Sequence, residues 1–257
     1  METLLVTVEL GFGVVWWYNR SVMTREKQLQ IQLRAIRFLR VLKHGRTYSE
    51  LSQLLKISPI VLNRYVKGHV LPEIARAEQI LELCTWEKLA EQAQQLLAFD
   101  EDGFIDNTAL LADTSFLATV ADLVATRFPN TSKVLTAAVD GIPPAVHIAA
   151  ELGVPCLFAK REREIGVSKF IESRYKLSGG QMVSYFLPAT ALRRNDRVLI
   201  IDDLLRSGET QSVLVEMVQM NEATPVGIFS LIQIGEEGVR RLQKSVFCPI
   251  EALLVLS

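Results

Sequence analysis

Three things are scarce in this chain: cysteine, overall charge of either sign, and long apolar runs. Cys84, Cys156 and Cys248 are the only cysteines, widely spaced and in no Cys-x-x-Cys pair. This argues against a disulfide framework or a structural metal site and fits a reducing cytoplasm. The formal net charge is −1, so the chain as a whole is neither a polycation nor a polyanion. Its most apolar stretch, METLLVTVELGFGVVWW at the start, is too short to span a bilayer and is interrupted by Glu9. The stretch also lacks the basic start and small-residue cleavage site of a signal peptide. No membrane partner is expected. Residues 1–22 stand apart as an N-terminal extension with three readings open: an added strand or arm, a weak membrane-surface segment, or a start at Met23.

What is present is an ordinary globular composition, 49% hydrophobic and 22% charged over 257 residues. That is room for one large domain, or for a medium domain with a small one. The near-neutral total conceals a division. Thr24–Val70 carries ten Lys/Arg against two Glu, net +8, whereas Leu71–Ser257 carries 17 Lys/Arg against 25 Asp/Glu, net −8. A basic small module joined to an acidic larger one points to a polyanion partner for the first part only.

The densest chemistry lies in VLIIDDLLRSGET, Val198–Thr210. Val198 to Ile201 read as a central parallel strand buried on both faces. Asp202 and Asp203 follow at its carboxyl end, where open α/β sheets place ligands. Leu205, Arg206, Ser207, Gly208, Glu209 and Thr210 then turn into an apolar-periodic helix. Free backbone amides and the helix dipole make such a turn an anion site. Carboxylates for sugar hydroxyls beside a phosphate nest describe a pocket for a ribose 5-phosphate.

This stretch resembles the phosphoribosyl pyrophosphate (PRPP) signature of type I phosphoribosyltransferases. The resemblance implies that Asp202 and Asp203 hold the ribose hydroxyls and that Leu205 to Thr210 wrap the 5-phosphate. Some purine-salvage members carry an acidic general base at the slot of Arg206, and arginine stays protonated. A second stretch, AAVDGIPPAVHIAAELGVPCLFAKRE (Ala137–Glu162), resembles the same family. There it implies a pyrophosphate-binding turn at Val139, Asp140, Gly141 and Ile142, with Gly141 allowing close approach, and basic residues Lys160 and Arg161 near the pyrophosphate. No obligatory cofactor is implied, although Mg2+ can accompany PRPP. His147, mid-helix on an apolar face, reads as packed. Arg163–Leu192 is long for a connection and corresponds to the family's hood, with a turn at Gly179-Gly180, an edge strand from Gln181 to Leu187, and Lys169, Arg174 and Lys176 as candidate cations. It offers no catalytic acid or base, and no catalytic residue is assigned anywhere in the chain.

In the basic module, Ile31, Leu33, Ile36, Leu39, Val41 and Leu42 form a helical stripe. Thr47 with Glu50 forms a capping box for a second helix, and Ser58 with Pro59 starts a third. Gly45 and Gly68 are the stops. RTYSELSQLLKISPIVLNRYVKGHVLP (Arg46–Pro72) resembles a lambda-repressor-like helix-turn-helix. That resemblance implies a core of Leu51, Ile57, Val61, Leu62 and Val66, and a duplex-DNA face of Ser58, Pro59, Ile60, Asn63, Arg64, Lys67 and His69.

The expected architecture is therefore an N-terminal extension (1–22), an all-α helix-turn-helix domain (23–72), a helical linker (73–102) and an α/β effector domain of type I phosphoribosyltransferase fold (103–257), with a parallel sheet, flanking helices and a flexible hood. The combination resembles purine-operon repressors and archaeal phosphoribosyltransferase-like regulators. It implies a homodimeric, cytoplasmic, DNA-binding transcriptional regulator of nucleotide or sugar metabolism that senses PRPP or a nucleotide at a promoter or operator. The competing expectation is an active purine- or orotate-type phosphoribosyltransferase, and an RNA-binding attenuator is a third.

Overall fold

The computed structural model describes residues 23–176 and 182–257. The extension at residues 1–22, the turn expected at Gly179-Gly180 and Gln181 lie outside the described residues. The chain divides into two units, with the boundary between Lys88 and Leu89.

The described part of the first unit is helical. Helix α1 (Arg25–Lys43) is capped by Thr24, whose side chain accepts the Lys27 N–H. It buries Ala35, Ile36, Phe38, Leu39, Val41 and Leu42. Leu33, expected in that stripe, is exposed: it lies two and a half turns before Leu42 and faces the opposite way. Helix α2 (Tyr48–Leu55) has the expected capping box, with Thr47 N–H donating to Glu50 Oε2 at 2.6 Å and Glu50 N–H to Thr47 Oγ1 at 3.2 Å. Lys56 turns the chain in the left-handed region, at φ 56°. Helix α3 (Pro59–Val66) begins at Pro59, with Ser58 at the N-cap but making no side-chain capping bond. Of the expected core here, Leu51, Ile57 and Leu62 are buried, while Val61 and Val66 are half-buried. Within the helical linker expected over 73–102 stand two helices, α4 (Ile74–Leu81) and α5 (Trp86–Leu96). Thr85 supplies the break, because its hydroxyl accepts the Lys88 N–H and so caps a new helix.

The second unit begins within α5, at Leu89, and continues with a short antiparallel hairpin, β1 (Ala98–Phe99) and β2 (Ile105–Asp106). Asp100 Oδ1 closes it by accepting the N–H groups of Asp102 and Phe104. Helices α6 (Thr108–Ala112) and α7 (Thr114–Arg127) follow, then strand β3 (Lys133–Ala137), helix α8 (Ile142–Leu152) and strand β4 (Cys156–Ala159). Strands β5 (Phe170–Lys176) and β6 (Met182–Pro188) form a second hairpin, tied to β4 by a bridge between Lys160 and Phe186. Strand β7 (Arg197–Leu205), helix α9 (Glu209–Met220), strand β8 (Thr224–Ile234), helix α10 (Glu237–Leu242) and strand β9 (Ile250–Leu256) complete it.

The main sheet has the order β4-β3-β7-β8-β9, and every neighbouring pair is parallel, as the alternation of strands and helices led us to expect. Its chain order reverses between β3 and β7, and crevices at such switch points are where α/β sheets bind ligands. One core cluster joins Leu135, Val198 and Ile200 of the sheet to Val213, Leu214 and Met217 of α9 and to Ile171, Tyr185 and Leu187 of the second hairpin. That apolar seam packs α9 and the hairpin together with β7 in one core. The cysteines are free thiols, and burial pushes Cys156 up to about 11 and raises Cys248 as well. Both are therefore protonated and poorly nucleophilic near neutrality. Among the described residues, no helix is long and apolar enough to cross a membrane.

Candidate active site

At the switch point an open cleft of about 810 Å³ is lined by the turn after β3 (Ala138–Gly141), the segment after β4 (Lys160–Glu164), the end of β7 (Asp202–Leu204), Thr210 and Tyr185. Of the residues the sequence placed at a ligand, Val139, Asp140, Gly141, Lys160, Arg161, Asp202, Asp203 and Thr210 line this one cleft, whereas Ile142, Leu205, Arg206, Ser207, Gly208 and Glu209 are not among its lining residues.

The acidic pair is built into the sheet rather than beyond it. The strand expected over Val198–Ile201 runs on to Leu205, and Asp202 pairs in register with Ser230 of β8. Asp202 is buried, at 7% exposure. Its Oδ1 accepts the Asp203 N–H at 3.1 Å, and its Oδ2 accepts Gln211 Nε2 at 2.6 Å. Burial first, and then the negative charges of Asp203 and Asp140, hold the Asp202 carboxyl well above the ordinary carboxylate range. Asp203 is half-buried, and its Oδ2 accepts Asn107 Nδ2 at 2.7 Å.

The turn at Val139–Ile142 is packed tightly against these acids. Ile142 N–H donates to Val139 O and starts α8, with Gly141 as its N-cap. A Cβ on Gly141 would lie 2.2 Å from Thr136 Oγ1 and 2.9 Å from Asp202 Oδ1. Glycine is thus required here by space. At Gly208 it is required by conformation as well: φ is 74°, and a Cβ would meet Gly238 O at 2.8 Å. Gly238 N–H donates to Arg206 O at 3.0 Å, so the start of α10 braces the loop of Leu205–Thr210. The Arg206 side chain points to solvent.

The basic side of the cleft is Lys160 and Arg161. Lys160 Nζ is ion-paired with Glu164. Arg161 lies 5.9 Å from the ring centre of Tyr185, and a hydrogen bond to the Tyr185 hydroxyl raises its pKa. Arg163 sits over the rings of Phe170 and Phe186, at 5.8 Å and 4.9 Å, and pairs with Glu172 at 3.0 Å. The cations expected from the hood do not gather here. Lys169 and Arg174 are exposed and absent from the cleft lining, because alternation along β5 turns Ser173 and Tyr175 inward and Arg174 outward. The Lys176 side chain lies outside the described residues. His147 is half-buried on α8, away from the cleft.

Asn107, Gln211, Tyr185 and Glu164 were not singled out in the sequence. Asn107 meets Asp203 across 96 residues of chain, which no local pattern reports. Gln211 carried a faint signal, as a glutamine three residues after the Gly208 N-cap, where capping-box side chains stand. In the first unit, Ser58, Pro59, Ile60, Arg64, Lys67 and His69 are exposed, with Ile60 at 76%. Asn63 differs from expectation: it is half-buried, and its Oδ1 is enclosed without a hydrogen-bond partner.

Residues 106–252 match the phosphoribosyl transferase domain. Among curated proteins, the chain is 31% identical to a xanthine phosphoribosyltransferase of Streptococcus uberis over 124 residues, covering 48% of this chain and 64% of that protein. It is 28% identical to one of Staphylococcus carnosus over 149 residues, covering 56% and 76%. The chain thus spans slightly less than two thirds of the length of the S. uberis protein. Among solved structures, adenine phosphoribosyltransferase of Thermoanaerobacter pseudethanolicus superposes with a TM-score of 0.59 at 19% identity, covering 65% of this chain and 99% of that one. This likeness establishes the fold of the second unit. The relatives overturn the expectation of a DNA-binding, PRPP-sensing transcriptional regulator, because they are named as phosphoribosyltransferases and not as regulators. The physical basis of that expectation was the +8 charge and the helix spacing of Thr24–Val70, and these describe a basic helical region without assigning it a ligand.

Proposed function

Because the chain belongs to the phosphoribosyl transferase domain family, we propose that it is a purine phosphoribosyltransferase, which transfers the ribosyl 5-phosphate group of PRPP to a ring nitrogen of a purine base and releases pyrophosphate. The observation that carries this reading is the convergence of the acidic pair, the turn at Gly141 and the cations Lys160 and Arg161 on one cleft at the sheet's switch point. Xanthine is the first base to test, since the sequence relatives are named for it.

In the reaction a bond forms between the base nitrogen and C1 of the ribose, while the C1–oxygen bond to pyrophosphate breaks. The bonding electron pair leaves with the pyrophosphate, and the base nitrogen's proton passes to the departing pyrophosphate or to water. Negative charge grows on the leaving group and positive charge on the sugar ring. In this reading Lys160 and Arg161 face the first, and the carboxylates of Asp202 and Asp203 accept from the ribose hydroxyls beside the second. The backbone amides of Ser207–Thr210 and the amino end of α9 hold the 5-phosphate. Fixing both ends of the donor turns its geometry into rate. Two adjacent carboxylates are hard oxygen donors that fit Mg2+ arriving on the pyrophosphate, and such an ion would neutralise leaving-group charge. Arg206, exposed and permanently protonated, takes no part as a base.

The test is pyrophosphate release by the full chain with PRPP, Mg2+ and, in turn, xanthine, guanine, hypoxanthine and adenine. Turnover with at least one base is expected, and it should be lost when Asp202 and Asp203 are both changed to Asn. A protein that binds PRPP yet turns over with none of the four bases would overturn the proposal.

A further inference from the structure

Gln211 occupies the third position of α9, after the Gly208 N-cap. At this position a glutamine commonly turns back onto the N-cap backbone. Gly208 has no side chain to reciprocate, and Gln211 does something else. It is 2% exposed, and its Nε2 donates to Asp202 Oδ2 at 2.6 Å and to Leu204 O at 3.1 Å. One amide group has two N–H bonds, and both are spent. A backbone carbonyl accepts only, so the amide must present its nitrogen here whatever the state of Asp202. With Oδ2 held on the inner side, Oδ1 is left against the ligand turn, where it accepts the Asp203 N–H and lies 2.9 Å from the space of a Gly141 Cβ.

We propose that Gln211 is a positioning residue for PRPP binding: it fixes which oxygen of Asp202 faces the cleft and ties that carboxylate to the helix whose amino end receives the 5-phosphate. The inference rests on the PRPP pocket proposed above. It also accounts for how an acid is kept in a crowded place. The charged groups facing Asp202 are Asp203 on β7 and Asp140 in the turn after β3, both negative. Gln211 is the neutral donor from α9 that meets it on the inner side.

The experiment compares wild type, Q211L, Q211E and D202N in the full chain by calorimetric titration with PRPP and Mg2+ between pH 6 and 8, alongside thermal melting. In Q211L the hydrogen bond that orients Asp202 is lost, so PRPP affinity should fall about tenfold or more, with KM for the base unchanged. In Q211E the new carboxyl can donate to Asp202 only when protonated. Its affinity relative to wild type should therefore recover as pH falls from 8 to 6, which a merely structural role would not produce. If D202N loses PRPP binding while Q211L keeps it, or if the Q211E deficit does not change with pH, the role of Gln211 is overturned and the pocket stands. If D202N binds PRPP as wild type does, the pocket reading itself fails.

Discussion

Gly141→Ala is the sharpest single test of how the cleft is built. Gly141 has φ −71°, which alanine adopts freely, so any penalty comes from packing alone. The added Cβ would stand 2.2 Å from Thr136 Oγ1, 2.9 Å from Asp202 Oδ1 and 3.3 Å from Ala137 O. Thr136 is fully buried and has no room to swing aside. Overpacking of this kind costs about 1–3 kcal/mol, partly offset by about 0.4–1 kcal/mol from a less flexible unfolded chain. The net cost is up to about 2.6 kcal/mol, so for a domain of this size the melting temperature should fall by up to about 10 °C. The second contact has a separate consequence. Asp202 is held from behind by Gln211, so it cannot retreat from the methyl group without giving up that bond. PRPP affinity should therefore drop about tenfold even where the protein remains folded. A double-mutant cycle with Thr136→Ala separates the two effects: T136A/G141A removes the 2.2 Å overlap and should recover stability relative to T136A, without recovering PRPP affinity. Melting and calorimetric titration of the four proteins decide the matter. A G141A protein that melts with wild type and binds PRPP equally well would refute the packing argument.

Two further outcomes follow from the same geometry. The raised pKa of Asp202 means that the folded state holds its proton more tightly than the unfolded chain. Its stability contribution is therefore present below about pH 3.8 and is lost as pH rises through the elevated value. D202N removes that loss, so its melting temperature relative to wild type should climb from pH 5 to pH 8 even as PRPP binding disappears, and a flat or falling difference would contradict the assignment. Glu164 is ion-paired with Lys160, yet both side chains are about 40% exposed (43% and 40%). Such a pair is worth about 0.2–1 kcal/mol, so E164Q should tighten pyrophosphate binding by up to about fivefold at low salt. An unchanged or weaker affinity would show that the pair does not compete.

The sequence made the cleft's principal residues legible because the family's signals are local: four apolar residues, two acids and a small-residue turn stand side by side at Val198–Thr210. What stayed hidden was tertiary. Aspartate is a poor strand former, so β7 was read as stopping at Ile201, whereas its ladder with β8 carries on to Leu205. Asp100–Gly103 has the composition of a linker and is in fact the tip of a hairpin, whose second strand delivers Asn107 to Asp203. Arg174 and Lys169 were offered as cleft cations by charge alone, and strand alternation sends Arg174 outward. The regulator reading failed for a related reason. Net charge and helix spacing report that Thr24–Val70 is a basic helical region, but they say nothing of what the attached cleft is for, and the relatives of that cleft carry the names of enzymes.

The bridge between Lys160 and Phe186 links two jobs in one residue. Its backbone exchanges two hydrogen bonds with Phe186, at 2.9 Å and 2.7 Å, and so moors the β5–β6 hairpin to the edge of the main sheet. Its side chain is one of the cations that line the cleft. The hairpin therefore cannot be lifted from that edge unless both bonds break or Lys160 travels with it. Mooring and cation share one Cα, so the clearance above the cleft and the electrostatic grip inside it are mechanically geared.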